Sequence, residues 1–482
     1  MRQYTLFFSF LSFFALVVTS CTKLSTDNNI ISIAKYPPIV PINDSVPICG
    51  SISGTMLAGK TYTINCDVTV NAGDSLIIQP GVHLIFNNQA GLIVKGNLFS
   101  LGTKSAPIWM TVAGQKHTDA PKIGFKAKND SAFSGLWKGI AGDVTCQYMI
   151  IKWTHLEYCG ALGGANGSNF YKTEALSSGT KNSYPLFFSN TNGIFVFEDS
   201  WLYGCPDDAI RIGGAGARFA IMRCTFERCG KTGGDGLNIK QGGVGILAYN
   251  LCIGGATNSL KAANTGTAPG LPTCHVDTYN NTVVNSGYRS TGTGKGGSIN
   301  YEDGARGKIF NNLLINCKFG LRLNGGLVPD TGYLYAGNYG YNYYWADSLS
   351  VANEIIPFGP VSVTKPVATD YPNLLAYLTP NYKYVTDAQY DGSPVVQLAG
   401  TNPLFKNYPL PVTGGYLLGD INAVGNFKFT LQPNSPCIGK GYRGFTPLQN
   451  IPIDPKYGLT ELTLPGADVG CYQFDGTGNQ HF

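Results

Sequence analysis

The feature that most constrains this chain is a repeat. Segments beginning at Ser200 (SWLYGC), Cys224 (CTFERC), Asn250 (NLCIGG), Asn281 (NTVVNS) and Asn312 (NLLINC) share one signature, and their starts lie 24, 26, 31 and 31 residues apart. Trp153 (WTHLEYC) opens an earlier copy. Each signature is followed by a second short stretch, and these also align: Asp208-Ala-Ile-Arg-Ile, Asp235-Gly-Leu-Asn-Ile, Asn258-Ser-Leu-Lys-Ala, Gly297-Ser-Ile-Asn-Tyr and Gly320-Leu-Arg-Leu. Short runs that alternate apolar and polar residues, broken by Gly and Asn, are strands with one buried face. Such a period, with short strands and no helical pattern, fits one coil of a parallel β-solenoid. Leucine-rich repeats have a similar period, but their leucine spacing is absent.

The same strand-and-turn texture runs from Thr61 to Val112. Here Ile78-Gln79-Pro80-Gly81, Gly96-Asn97-Leu98 and Trp137-Lys138-Gly139-Ile140 occur in the order seen in the N-terminal coils of bacterial surface β-helix proteins, which this region resembles. The end resembles theirs too, in Asn402-Pro403-Leu404-Phe405, in the stretch from Phe429 to Gly439, and in Ala467-Asp468-Val469-Gly470-Cys471-Tyr472. One detail departs: the Arg usual after the Asp-x-x-Gly motif is missing beyond Asp454-Pro-Lys-Tyr-Gly458. The resemblance implies an all-β, single-stranded, right-handed parallel β-helix. It leaves activity open, because this scaffold hosts lyases, hydrolases, binders and spacers. The expected organisation is a β-helix over 48–342, an insertion or side structure over 343–400, and a closing segment over 401–482 that caps the strand edges at the end of the stack.

The N-terminus speaks to compartment. Arg2 precedes an apolar run from Leu6 to Val18, which ends on Val18-Thr19-Ser20-Cys21. The run is short for a membrane span and reads as a cleaved signal, residues 1–20. Its end resembles a bacterial lipobox, which implies acylation of Cys21 and lipid anchoring to the outer membrane, on the cell surface or the periplasmic side. Residues 21–47 are polar and proline-containing, and read as a tether. A charged fraction of 13%, with 62 Gly, 28 Tyr and 25 Phe, suits a loop-rich all-β protein. The net charge of +5 over 482 residues is too diluted to imply nucleic acid, and permits an acidic ligand. Of thirteen cysteines, Cys21 aside, Cys437 and Cys471 are the better placed for a disulfide.

The repeat register defines three columns, stacked about 4.8 Å apart. Cys159, Cys205, Cys229, Gly255, Ser286 and Cys317 share a position that admits only small side chains. Asp208, Asp235 and Asn258 form a second column. It reads as a pair of glycosidase-type carboxylates, as a Ca²⁺ site, or as a ladder bonding to turn N–H groups. Cys205-Pro-Asp207-Asp208-Ala faintly resembles the paired aspartates of β-helix polygalacturonases, whose basic and histidine motifs are not visible here. Arg211, Asn238, Lys261, Asn300 and Arg322 form the third column, each between apolar neighbours and hence directed outward, with Lys240, Glu302 and Asn324 one step further along.

Over five coils that stripe is roughly 19 Å long, enough for several sugar units. It reads either as an ordinary solvated face or as a polysaccharide site, for binding or for catalysis. A uronate lyase would take Lys261 or Lys240 as base and Arg211, Arg306 or Arg322 to neutralise the carboxylate. No zinc spacing, phosphate loop or nucleophile elbow is present. The leading expectation is a polysaccharide-binding lipoprotein. The alternatives are a polysaccharide lyase or glycoside hydrolase, and a passive adhesin or spacer.

Overall fold

The computed structural model describes residues 38–115, 131–264, 273–287, 289–290, 296–324, 339–345, 402–407, 428–454 and 456–481. Cys21 and most of the expected insertion lie outside them.

The chain winds as a right-handed parallel β-helix with three strands per coil. One coil comprises Arg218–Met222, Thr225–Cys229 and Leu237–Lys240, and the next begins at Val244–Ala248. Equivalent strands pair in parallel from coil to coil. The result is a ten-stranded first ladder, from Gly54–Met56 to Tyr339–Gly340, and second and third ladders that merge near the N-terminus in the long strand Thr61–Val70. The second ladder holds the signature segments and the third holds the stretches that follow them. Regular pairing continues into Tyr343–Trp345, which lies beside Leu313–Ile315.

The core is a set of columns. Ile210, Leu237, Leu260 and Ile299 are in register and buried, so each apolar side chain packs on its equivalent in the next coil. Each such residue contributes about 1.5–3 kcal/mol of burial. The small column is also interior: Gly255 has no room for a side chain, since a Cβ there would lie 2.9 Å from Ser286 Oγ. Cys159, Cys205, Cys229 and Cys317 are buried free thiols that pack as small apolar groups.

The disulfide expectation is corrected. Cys49 and Cys66 are joined, with Cα atoms 5.1 Å apart, while Cys437 and Cys471 are both free and buried. Those two are drawn to different neighbours: the Cys471 N–H donates to Thr282 and the Cys437 N–H to Ser435.

The turn between first and second ladders repeats closely. The residue before each second-ladder position is left-handed: Trp153, Asp199, Arg223, Tyr249, Asn280, Asn311 and Tyr341 have φ between 46° and 60°. This conformation is costly for side chains other than Gly, Asn and Asp. It is held in the later coils by stacked asparagines. Asn281, Asn312 and Asn342 each accept, through Oδ1, the backbone N–H and the side-chain Nδ2 of the asparagine one coil earlier, at 2.9–3.0 Å.

The closing segment does not simply end the stack. Phe405–Asn407 pairs antiparallel with Lys428–Leu431, and Phe405, Phe429 and Leu431 join the main core. From Tyr442 onward the chain lies lengthwise along the flank. Tyr442 N bonds Asn311 Oδ1 (2.7 Å), Leu448 N bonds Asp277 (2.9 Å), and Tyr457 meets Phe99 edge-on at 4.6 Å. It then returns over Tyr249 and Tyr279, whose hydroxyls donate to Leu464 O and Thr463 O, and reaches Lys104 through Gln480. What this stretch covers is the outer face of the first ladder. Covered on both faces, strands such as Ile194–Glu198 are buried throughout.

Candidate functional site

The third ladder places the predicted residues together. Arg211, Asn238, Lys261, Asn300 and Arg322 occupy one register position in five successive coils. Lys240, Ala263 and Glu302 form the parallel position two residues on. All alternate with interior residues, as the pattern required. The face is less open than a solvated strand would be: Asn238, Asn300 and Arg322 are buried, and Arg211, Lys240, Lys261 and Glu302 remain partly exposed.

The burial follows from mutual bonding. Asp208 accepts from Asp235 N (2.7 Å) and from Asn238 Nδ2 (2.7 Å). Asp235 accepts from Asn258 N (3.1 Å), Asn258 Nδ2 (2.9 Å) and Thr257 Oγ1 (2.5 Å). Each carboxylate thus holds the turn of the following coil, which is the ladder reading of this column. Orienting Asn238 this way leaves its Oδ1 buried with no partner among the described residues. The described residues contain no cluster of three or more His, Cys, Asp or Glu arranged to hold a metal ion.

Arg211 lies 3.6 Å from Asp208, donates to the Tyr184 hydroxyl (2.9 Å) and stacks over that ring. Lys261 bridges coils, 2.9 Å from Glu302 and 3.6 Å from Asp235. Burial weakens its charge, but Asp235 and Glu302 outweigh this and raise its pKa, so it is a poor base. Lys240 goes the other way: burial, then the charges of Lys261 and Arg211, lower it. Asn300 donates to Glu302 (2.6 Å), and Arg322 donates to Gly296 O and covers the Phe319 ring. Arg306 is not on this face. It lies past the turn, in register with His275 at the start of the first ladder.

Glu174 and Tyr184 escaped the repeat, while Asp207 entered only through the resemblance to paired aspartates. Asp207, Glu174 and Tyr184 border the Arg211 end, and burial pushes the carboxyl pKa of both Asp207 and Glu174 up. Asp208 itself is pushed up to about 7 by burial and by Asp235 and Asp207. Glu174 and Tyr184 come from a single excursion between coils, which leaves no periodic signal.

Aromatic side chains on the second ladder form a stack instead of an open platform. His83, Trp109, His155 and Trp201 follow one another in register, with centroids 6.4, 4.1 and 5.3 Å apart. His481 packs against His155 and Trp201. These rings meet one another, so a sugar would find edges rather than open faces. A scan against protein-family models and searches of curated proteins and of solved structures found no match.

Proposed function

We propose that this protein is a lipid-anchored envelope lipoprotein that binds polysaccharide along the third-ladder face. The observation that carries the reading is the unbroken register of polar and charged side chains across five coils, Arg211 to Arg322. At roughly 4.8 Å per coil it presents a line of donors and charges on the scale of an oligosaccharide. The resemblance of the chain's two ends to surface β-helix proteins supports the setting, and Cys21 is the acylation site.

The full-length protein in detergent micelles should bind members of a glycan panel by calorimetry, and Arg211→Ala should weaken that binding. A panel with no binder would leave the spacer alternative. Metabolic labelling with a fatty acid should mark the wild-type chain and not Cys21→Ala.

One observation favours a second reading, hydrolysis. Asp208 titrates near neutrality beside Asp207 and Asp235, as a proton-donating carboxyl does. Its burial and its two internal donors set binding ahead. Release of reducing ends that Asp208→Asn abolishes would reverse that order. The lyase reading loses Lys261 as a base, since two carboxylates hold it protonated.

A further inference from the structure

The cations of the third-ladder face are not equivalent. Arg211 is matched by Asp208 and Tyr184, Lys261 by Asp235 and Glu302, and Arg322 by a backbone carbonyl. Lys240 makes no ion pair and no side-chain hydrogen bond among the described residues. It is nonetheless only partly exposed, and burial lowers its pKa.

Its coil neighbours explain the space around it. On one side it is in register with Ala263. On the other it stands beside Gly213, which follows Ile212, the partner of Ile239. The ammonium therefore rises between the Ala263 methyl and the Gly213 backbone, where the Phe187 ring lies 3.1 Å from the place a Cβ would take. The charges that act on it are also unusual: after burial, Lys261 and Arg211 weigh on it more than Glu302 or Asp235. The carboxylates that might have turned to it are engaged, Glu302 with Lys261 and Asn300, and Asp208 and Asp235 with N–H and O–H donors. A half-buried ammonium with like charges beside it is unfavourable until an anion joins it.

We infer that Lys240, unpaired beside the short Ala263 side chain and flanked by Arg211, seats an anionic ring substituent, so that the polymer this face takes is an acidic glycan. The inference rests on the glycan-binding reading and deepens it. Lysine is a compact point charge without a fork that selects one anion geometry, so carboxylate and sulfate ester share the required chemistry. Lys240 is then a binding residue and not a base.

The test uses two matched pairs of polymers with the full-length protein in micelles: polygalacturonate against its methyl ester, and dextran sulfate against dextran. The charged member of at least one pair should bind roughly ten-fold more tightly, the scale of one charge-assisted contact. The preference should vanish in Lys240→Met. The responding pair identifies carboxylate or sulfate. In parallel, the wild-type protein with ¹³C-dimethylated lysines should show the Lys240 resonance titrating at higher pH when the charged polymer is bound. Equal affinity within both pairs overturns the inference and leaves glycan binding standing. A charge preference that survives Lys240→Met, with an unmoved Lys240 resonance, also overturns it. Failure to bind any polymer, charged or neutral, overturns both readings.

Discussion

The corner between first and second ladders and the outward face of the third are both columns of polar side chains, yet they are built on opposite plans. At the corner, Asn250, Asn281, Asn312 and Asn342 repeat one residue, bond to one another and to the backbone of the preceding strand, and are fully enclosed. On the third ladder, Arg, Asn, Lys, Asn and Arg succeed one another, and bonding is completed by carboxylates from several turns. Identity from coil to coil satisfies the backbone, because every coil poses the same problem. Variation from coil to coil does not help a solenoid close, and it is the pattern on which the glycan-binding proposal rests.

Breaking the corner should have the largest effect. Asn281→Leu removes the acceptor of the Asn250 N–H and the side-chain donors to the Leu247 and Tyr279 carbonyls in a buried site. A loss on the order of 4 kcal/mol is expected, as several buried groups lose partners together. Urea denaturation would register it, and a change under 1 kcal/mol would show that the ladder is incidental.

Arg223 extends the corner outward to the flank. It pairs with Asp199 (2.8 Å) and Glu198 (2.9 Å) and reaches Thr463. Arg223→Ala leaves two largely buried carboxylates without their cation, at about 3 kcal/mol. Limited proteolysis should then cut near Thr463 before it cuts the coils. Uniform digestion would mean the flank segment is held elsewhere.

A smaller effect is expected from Asp208→Asn, and it sharpens the contrast through pH. The folded carboxyl titrates near 7 against an ordinary 3.8, so the folded state binds the extra proton between those values. Wild-type stability should therefore fall as pH rises from about 4 to about 7, then level off. The asparagine variant should lack that slope. Its cost at pH 7 should be about 1 kcal/mol or less, since Asn238 can turn its unpartnered Oδ1 toward the new amide. Urea midpoints at pH 5 and pH 8 decide this.

The smallest effect on stability belongs to Lys240→Met. It removes a charge without breaking a contact, so the midpoint should hold or rise slightly while the preference for the charged polymer vanishes.

What was legible in the sequence follows the same division. The second and third ladders were visible because half of each strand faces away from the core and alternates with it, as in Asp208 to Ile212. The first ladder was not, because Phe195 to Glu198 and their equivalents are covered on both sides and show no alternation. The register of the third-ladder column was readable to the residue, since spacing alone sets it. Its enclosure was not, because the closing bonds depend on turns of unequal length. Arg306 was misplaced for the related reason that a turn after Glu302 carries it onto another ladder.

The flank segment also changes how the molecule must come apart and together. A solenoid held only by contacts between adjacent coils can fray from either end, each coil melting nearly on its own. Here a single length of chain touches coils as distant as those of Phe99, Glu198, Val244 and Asn311. Losing one coil loosens a fastening shared with the others, so melting should be all-or-none across the barrel of coils. The fastening follows in sequence every coil it touches, so it is synthesised after them. The coils therefore exist for a time without it, the outer side of their first ladder bare, and they are fastened together only when the stretch from Tyr442 onward arrives.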